Sequence, residues 1–240
     1  MSELNQKTSV GQWVARCPQT AREFEKLRID YCCRGNVSLE EACRARRLDP
    51  LEVITKLLEV IEQDEATVGV DWTKSPLSRL CDHIEQTHHA FLKTELPRLS
   101  VLIDKVLDAH IANHPELSDL RQVFGQLRDE LEPHMFKEEK ILFPAVRRLE
   151  QETAPPEFSF GTVANPIRMM EHEHDVAGQA LEKIRELTSD FHVPDDACNS
   201  YRVLLEDLRR LEEDLHQHIH KENNILFPRA LQLENCLAKA

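Results

Sequence analysis

Apolar residues recur at helical spacing along this chain. In the N-terminal part, residues 9–16, 18–29, 38–46 and 49–64 read as short helices. Ser38 followed by Glu41 fits a capping box, in which hydroxyl and carboxylate satisfy orphan amides at a helix start. Leu51, Ile54, Leu57, Leu58 and Ile61 define one apolar face. The segment from Thr67 to Pro76 has no such period and ends in Ser-Pro, a helix-start signal. From residue 76 onward four long helices are expected, at about 76–111, 117–150, 163–190 and 196–231. Their connections carry Asn113, Pro115, Pro155, Pro156, Gly161 and Pro194, and such short links favour an up-down-up-down bundle. Pro97 and Pro133 fall inside two of the helices, where a missing backbone donor predicts a kink.

The predicted fold is all-α: a small helical domain at 1–65, a linker at 66–75 and an antiparallel four-helix bundle at 76–240. About 65 residues bury only a small core, so the first domain is expected to be marginal alone. Two compositional facts support this division. Six glycines are few for the turns that sheets need, and all twelve histidines lie at or after position 83.

The net charge of −13 disfavours nucleic acid and anionic membrane surfaces as partners, since both need basic patches. Arg44-Ala45-Arg46-Arg47 reads as a solvated helix end. No apolar run approaches the roughly 20 residues of a membrane span, and the first ten residues lack a signal-peptide core. Seven scattered cysteines do not form a disulfide framework. A cytoplasmic protein in a reducing compartment is expected.

An internal repeat points to chemistry. His134-Met-Phe-Lys-Glu138-Glu-Lys-Ile-Leu-Phe-Pro-Ala returns 84 residues later as His218-Ile-His-Lys-Glu222-Asn-Asn-Ile-Leu-Phe-Pro-Arg, with seven of twelve positions identical. Each His and Glu pair is four residues apart, which puts both side chains on one helix face. His89 and His174, from the first and third helices, are 85 residues apart and complete the set. Four imidazoles and two carboxylates in a symmetric arrangement suit two metals, the carboxylates bridging. Helical bundles build di-iron sites from such inward groups. Imidazole and carboxylate suit iron, and no thiolate in the set favours a softer metal. A single His-x-x-x-Glu would read as a surface pair; two copies, each followed by Ile-Leu-Phe-Pro, do not.

The other histidines have blander readings. His172, His216 and His220 are two residues from a proposed ligand, turned by about 200° and so facing away. His88 is about 100° from His89, and the two are interchangeable at this level. His83, His110, His114 and His192 have no identifiable partner. Glu130, four residues before His134, is a candidate second carboxylate orienting that imidazole, or an ordinary exposed residue. Glu173 is a candidate for lining access to the metals, with an exposed role as the plainer reading. In Asp30-Tyr31-Cys32-Cys33-Arg34-Gly35, adjacent cysteines form only a strained ring disulfide, and Arg34 beside them is expected to lower a thiol pKa. The alternative is one buried thiol and one inert one.

Asp-Tyr-Cys-Cys-x-Gly, followed by two His-x-x-x-Glu and Ile-Leu-Phe-Pro copies, resembles the iron–sulfur cluster repair di-iron family, the repair-of-iron-centres proteins, over residues 8 to 231. The resemblance implies a hemerythrin-like bundle with iron ligands His89, His134, Glu138, His174, His218 and Glu222. It implies two non-haem irons per chain bridged by Glu138 and Glu222, with Cys32 and Cys33 in the small N-terminal domain. It also implies a role in nitric oxide and oxidative stress: restoring damaged iron–sulfur clusters, by supplying iron, and binding or reducing nitric oxide. Classical oxygen-carrying hemerythrins have a fifth histidine on the third helix and an aspartate five residues after the last histidine. Here Gly178 stands where a His-x-x-x-His pair would continue from His174, which argues against simple oxygen storage.

Three functions remain in competition at this level. The first is a stress-response protein that repairs clusters or reduces nitric oxide. Two ferrous ions would supply the two electrons, Cys32 and Cys33 would pass electrons or accept iron, and an external electron donor would close the cycle. The second is a nitric oxide scavenger or sensor without turnover. The third is a structural zinc or iron-storage bundle, and six ligands are too many for one four-coordinate zinc. Damaged iron–sulfur proteins are the expected clients, and a monomer or a homodimer fits.

Overall fold

A computed structural model describes residues 4–63, 70–154 and 156–239. The expected linker is therefore described only from residue 70, and Pro155 lies outside the described residues. Among the described residues there are helices and no strand, with isolated bridges only at Ser9–Ser38 and Phe158–Gly161. The chain divides into two compact units. One holds Met1–Cys81, Val146–Glu157 and His216–Ala240; the other holds Asp82–Ala145 and Phe158–Leu215.

The first unit opens with α1 (Val10–Arg16), α2 (Ala21–Leu27), α3 (Leu39–Arg46) and α4 (Pro50–Gln63). The α3 start carries the expected capping box: Ser38 Oγ accepts from Glu41 N, and the Glu41 carboxylate accepts from Ser38 N. The apolar face of α4 differs from the expected one. Val53 and Leu57 are buried, whereas Leu51 and Leu58 are exposed. The period alone left several phases open, and the neighbours chose the one containing Val53. Val10, Trp13, Phe24, Tyr31, Leu39 and Leu57 form the core with Ile219, which comes from the last turns of a much later helix. A small N-terminal segment thus gains core from distant sequence, which answers its own shortage of buried area.

Gly35 has a specific reason to be glycine. A Cβ there would lie 2.1 Å from Asn224 Oδ1, and one at Gly11 would lie 2.4 Å from the same atom. The Asn224 amide fills the gap and donates to the carbonyls of Tyr31 and Cys32 at 3.2 and 3.0 Å. Gly35→Ala is expected to destabilise by about 1–3 kcal/mol through overpacking. Adding Asn224→Ala should recover part of that loss in a chemical melt. A double variant no more stable than Gly35→Ala would mean the clash is elsewhere.

The second unit is a four-helix core. Its helices are α6 (Ala90–His110), α7 (Glu116–Lys137), α9 (Ala164–Leu187) and the first part of α10 (Asn199–Lys221), up to Leu215. Leu96, Leu99, Phe124, Leu131, Leu181 and Leu208 are among the buried side chains that fill it. Pro97 and Pro133 lie inside α6 and α7. Between α9 and α10, Ser189, Asp190 and Phe191 adopt φ of 47°, 65° and 56° in succession. Three left-handed non-glycine residues in a row need an external hold, since each costs roughly 1–2 kcal/mol.

The expected long helices are interrupted by π turns. A π segment at Glu85–His89 joins α5 (Leu77–Ile84) to α6, and one at Glu138–Leu142 joins α7 to α8 (Phe143–Gln151). A third, at Glu222–Leu226, joins α10 to α11 (Phe227–Leu237). The Phe143 amide reaches back five residues to the Glu138 carbonyl, and the Phe227 amide does the same to Glu222. Pro144 and Pro228 follow immediately. A proline ring in a regular helix clashes with the carbonyl four residues back, and a widened turn relieves it. The first π segment is followed by Ala90, so proline does not explain that one.

Candidate metal centre

Within the second unit, four of the six proposed ligands converge. Glu138 closes α7 and opens a π turn, and its carboxylate is fully buried. Its Oε2 lies 3.2 Å from His89 Nε2, and its Oε1 lies 3.3 Å from His134 Nε2. His174 Nε2, from the middle of α9, is 3.2 Å from His134 Nε2. The two oxygens of one carboxylate thus face different histidines. His89 and not its neighbour reaches Glu138: His88 turns to Asp214, with Nδ1 to Oδ1 at 2.9 Å.

The outer nitrogens are held. His89 Nδ1 meets Glu139 Oε1 at 2.9 Å, and Lys93 pairs with that carboxylate. His134 Nδ1 meets Glu173 Oε2 at 2.8 Å, and Lys137 pairs with that one. When Nδ1 donates outward, the Nε2 lone pair points inward, which sets the tautomer a metal needs. Burial raises the Glu139 carboxyl, but hydrogen bonds from Lys93 and His89 outweigh it and the pKa falls below the ordinary value. Glu173 behaves alike: burial raises it, and His134 and Lys137 bring it lower. Both carboxylates therefore stay ionised as acceptors. Phe143, from the repeated Ile-Leu-Phe-Pro, stacks on the His89 ring at 5.8 Å.

These donors fit a metal. Two ligand atoms about 2.1 Å from one ion, at right to tetrahedral angles, stand roughly 3.0–3.4 Å apart. The separations above fall in that range. Inward lone pairs on His89 and His134 facing a buried carboxylate also repel one another unless a cation or protons lie between them.

In the first unit the repeat gives a matching pair. His218 Nε2 and Glu222 Oε1 are 3.2 Å apart, and both residues are buried. The helix they share has a second, engaged face. His216 Nδ1 meets Glu25 Oε1 at 2.8 Å, and Gln217 donates to the Tyr31 hydroxyl at 3.0 Å. The His220 ring lies 5.5 Å from that of Tyr31, and burial pushes its pKa down to about 4, so it is neutral. The expectation that His216 and His220 turn away from the ligand face fits these contacts, but the residues are not idle: they seat the cysteine segment.

In that segment Cys32 is buried and Cys33 partly exposed, with the sulfurs 3.8 Å apart and not joined in a disulfide. The hydrogen bond with Cys33 and burial push the Cys32 thiol well above its ordinary value, and the Asp30 charge adds to this. Arg34 is not among the groups that act on Cys32, contrary to the expected lowering. Its side chain is exposed while Asp30 sits beside the sulfur, with Sγ to Oδ1 at 3.3 Å.

Sequence reasoning missed Glu139. Its signal was adjacency to Glu138 with Lys93 four residues after His89. Glu130 is exposed, and the carboxylate at His134 Nδ1 belongs to Glu173. His172 is exposed. Glu173→Gln is expected to weaken iron binding about 10–100-fold, as loss of an orienting carboxylate does, while Glu130→Gln leaves it unchanged. A competition titration against a chelator reads both, and equal affinities for the two variants would remove Glu173 from this role.

Residues 81–230 match the Hemerythrin HHE cation binding domain, and residues 6–61 match ScdA_N, a domain of unknown function. The chain is 32% identical over 224 residues to the iron-sulfur cluster repair protein ScdA of Staphylococcus haemolyticus, covering 93% of this chain and 98% of that one. It is 35% identical over 226 residues to the iron-sulfur cluster repair protein YtfE of Musicola paradisiaca, covering 94% and 97%. The protein of that name from Escherichia coli O157:H7 is 34% identical over 223 residues, covering 92% and 96%. No helix among the described residues is long and apolar enough to cross a membrane.

Proposed function

The chain belongs to the family of iron–sulfur cluster repair proteins that join an ScdA_N domain to a hemerythrin HHE domain, and on that premise we propose that it is a di-iron protein that restores damaged iron–sulfur clusters by giving up iron and that binds or reduces nitric oxide. The observation that carries the reading is the Glu138 carboxylate, whose two oxygens address two different histidines. One carboxylate so placed suits two ions rather than one.

The proposed ligands are His89, His134, Glu138, His174, His218 and Glu222. The last two enter from the sequence repeat and from the single domain match that spans 81–230. Iron, when bound, would supply redox electrons and the cargo itself. The chain's residues do the rest. Glu139 and Glu173 fix two imidazoles with Nε2 inward, and Lys93 and Lys137 keep those carboxylates ionised. Phe143 packs against the His89 ring and limits water there. Cys32 and Cys33, reduced and side by side, are proposed to accept iron or pass an electron. The Cys32 thiol is held protonated, and Cys33 is the more exposed of the two.

The test uses the iron-loaded chain with an aconitase-type enzyme whose cluster has been damaged by nitric oxide. Reactivation with matched loss of iron from this protein supports repair by donation. Stoichiometric nitric oxide uptake with no reactivation and no product gas would replace it with a scavenger or sensor. An iron-loaded protein that does neither would sink the proposal.

A further inference from the structure

A second constellation of metal-ligand side chains lies at the other end of α6, roughly 30 Å from His89 by helical rise. His110 stands in the last turn of α6, and His114 follows four residues later in the turn before α7. Asp196 and Cys198 come from the segment that precedes α10. One ligand atom each of His110, His114 and Asp196 lies within 4.8 Å of the other two. His114 Nε2 is 2.9 Å from Asp196 Oδ1. The Cys198 thiol is hydrogen-bonded with the His110 side chain and with the backbone of Tyr201 and Ser200 at the start of α10. Beneath both rings sits buried Tyr201, with centroids 5.3 Å from His110 and 5.4 Å from His114.

An ion pair explains part of this. His114 bridges Asp196 and Glu116, whose Oε1 is 2.9 Å from Nδ1, and those hydrogen bonds raise its pKa. A salt bridge does not explain the rest, namely a second imidazole with a ligand atom inside the same 4.8 Å and a thiol hydrogen-bonded to that imidazole. The outer contacts are those of a metal site. Glu116 occupies the far nitrogen of His114, the arrangement that orients a ligating imidazole. Asn113 Nδ2 donates to Asp196 Oδ2 at 3.1 Å and leaves Oδ1 for the centre. The hydrogen bond from His110 and the helix-start amides lower the Cys198 pKa, favouring the thiolate that binds metal.

We propose that His110, His114, Asp196 and Cys198 form a second metal site, for a borderline divalent cation of the zinc class, that ties the α6–α7 turn to the segment before α10. Two imidazoles, a carboxylate and a thiolate are a four-ligand set of the kind zinc takes tetrahedrally. The Cys198 side chain is exposed and free to swing from His110 to the ion. Binding releases the thiol proton and any proton on His114 Nε2, so occupancy rises with pH. The site is independent of the iron centre and stands or falls without it.

The experiment titrates the full, iron-loaded chain with Co²⁺ without oxygen, following absorption and counting both metals. One cobalt per chain beyond the iron is expected, with tetrahedral ligand-field bands and a thiolate-to-cobalt charge-transfer band, both erased by added zinc. Cys198→Ser should abolish the charge-transfer band. Asp196→Asn and His114→Ala should each weaken binding at least about 10-fold, with iron content unchanged. Circular dichroism melts identify a variant that has merely unfolded, and Asp196→Asn, the gentlest change, then decides. No cobalt beyond the iron, a spectrum without the thiolate band, or binding indifferent to Asp196→Asn in a folded variant overturns the proposal and leaves His114 as an ion-pair latch.

Discussion

Glu138→Ala should leave the protein folded and nearly free of iron, falling from about two irons per chain to close to none. The loss should exceed that for any one histidine, because in the proposed centre the carboxylate would be shared. Its Oε2 faces His89 and its Oε1 faces His134, so with the proposed pair of ions its removal would take one donor from each. His174→Ala, by contrast, should spare the ion on the His89 side at first. Glu222→Ala should match Glu138→Ala if the repeat is a functional one. His172→Ala is the control, since that ring is exposed and its loss should change nothing. Elemental analysis after purification from iron-supplemented cells reads all four. A Glu138→Ala protein that keeps both irons would show that the carboxylate is not a bridge. Stability should move the other way: with no metal bound, deleting a buried carboxylate removes a desolvation cost, so apo Glu138→Ala should melt no lower than the apo parent.

Arg185→Met should cause the largest loss of stability away from the proposed metal centre. Arg185 Nε donates to Glu212 Oε1 at 2.9 Å, and a second nitrogen of the same guanidinium reaches the other oxygen. Glu212 is 2% exposed, so without its partner a carboxylate is left buried. The same guanidinium bonds Asp190 and lies over the Phe191 ring at 4.9 Å. It therefore also supplies the hold on the left-handed run Ser189–Phe191. Removing one member of a buried pair costs about 3 kcal/mol at the lower end of its range, a fitting choice for a half-buried arginine. That is roughly 6–12 °C in Tm for a chain of this size. Adding Glu212→Leu removes the stranded charge and should restore part of the loss. The remainder measures the turn. If the double variant melts as low as Arg185→Met, the burden lies in the turn and not in the carboxylate.

Much of this architecture was open to reading in the residues. Four-residue spacing put each His-x-x-x-Glu pair on one face, and both pairs stand 3.2–3.3 Å apart. The Ser38–Glu41 cap formed as its local chemistry dictates, since a capping box needs only neighbouring residues. What escaped was set by tertiary neighbours. Leu51 and Leu58 fit the α4 stripe as well as Val53 does, and only the packing partners choose between them. Glu173 reaches His134 from another helix, whereas Glu130 shares a helix with it and looked as plausible. His114 finds Asp196 across 82 positions, a distance at which no local pattern signals a pair. The π turns left no trace in the polar and apolar pattern, because one added residue in a turn changes phase and not polarity. Proline after Phe143 and Phe227 is the visible sign of two of them.

A helix can be regarded as a one-dimensional crystal, and a π turn as an interstitial lodged in it. Such a defect travels by handing hydrogen bonds from one amide to the next, shifting the lattice by one site each time. Proline has no amide to hand on. Pro144 and Pro228 therefore act as pinning points, and the two carboxylates that open these turns sit in dislocations that cannot glide past them towards the C-terminus. The defect that ends at His89 meets Ala90, and the next proline in its path, Pro97, stands further along α6. Of the three, it is the one with a stretch of ordinary helix before its proline, so the His89 imidazole stands on the least tightly pinned of these turns.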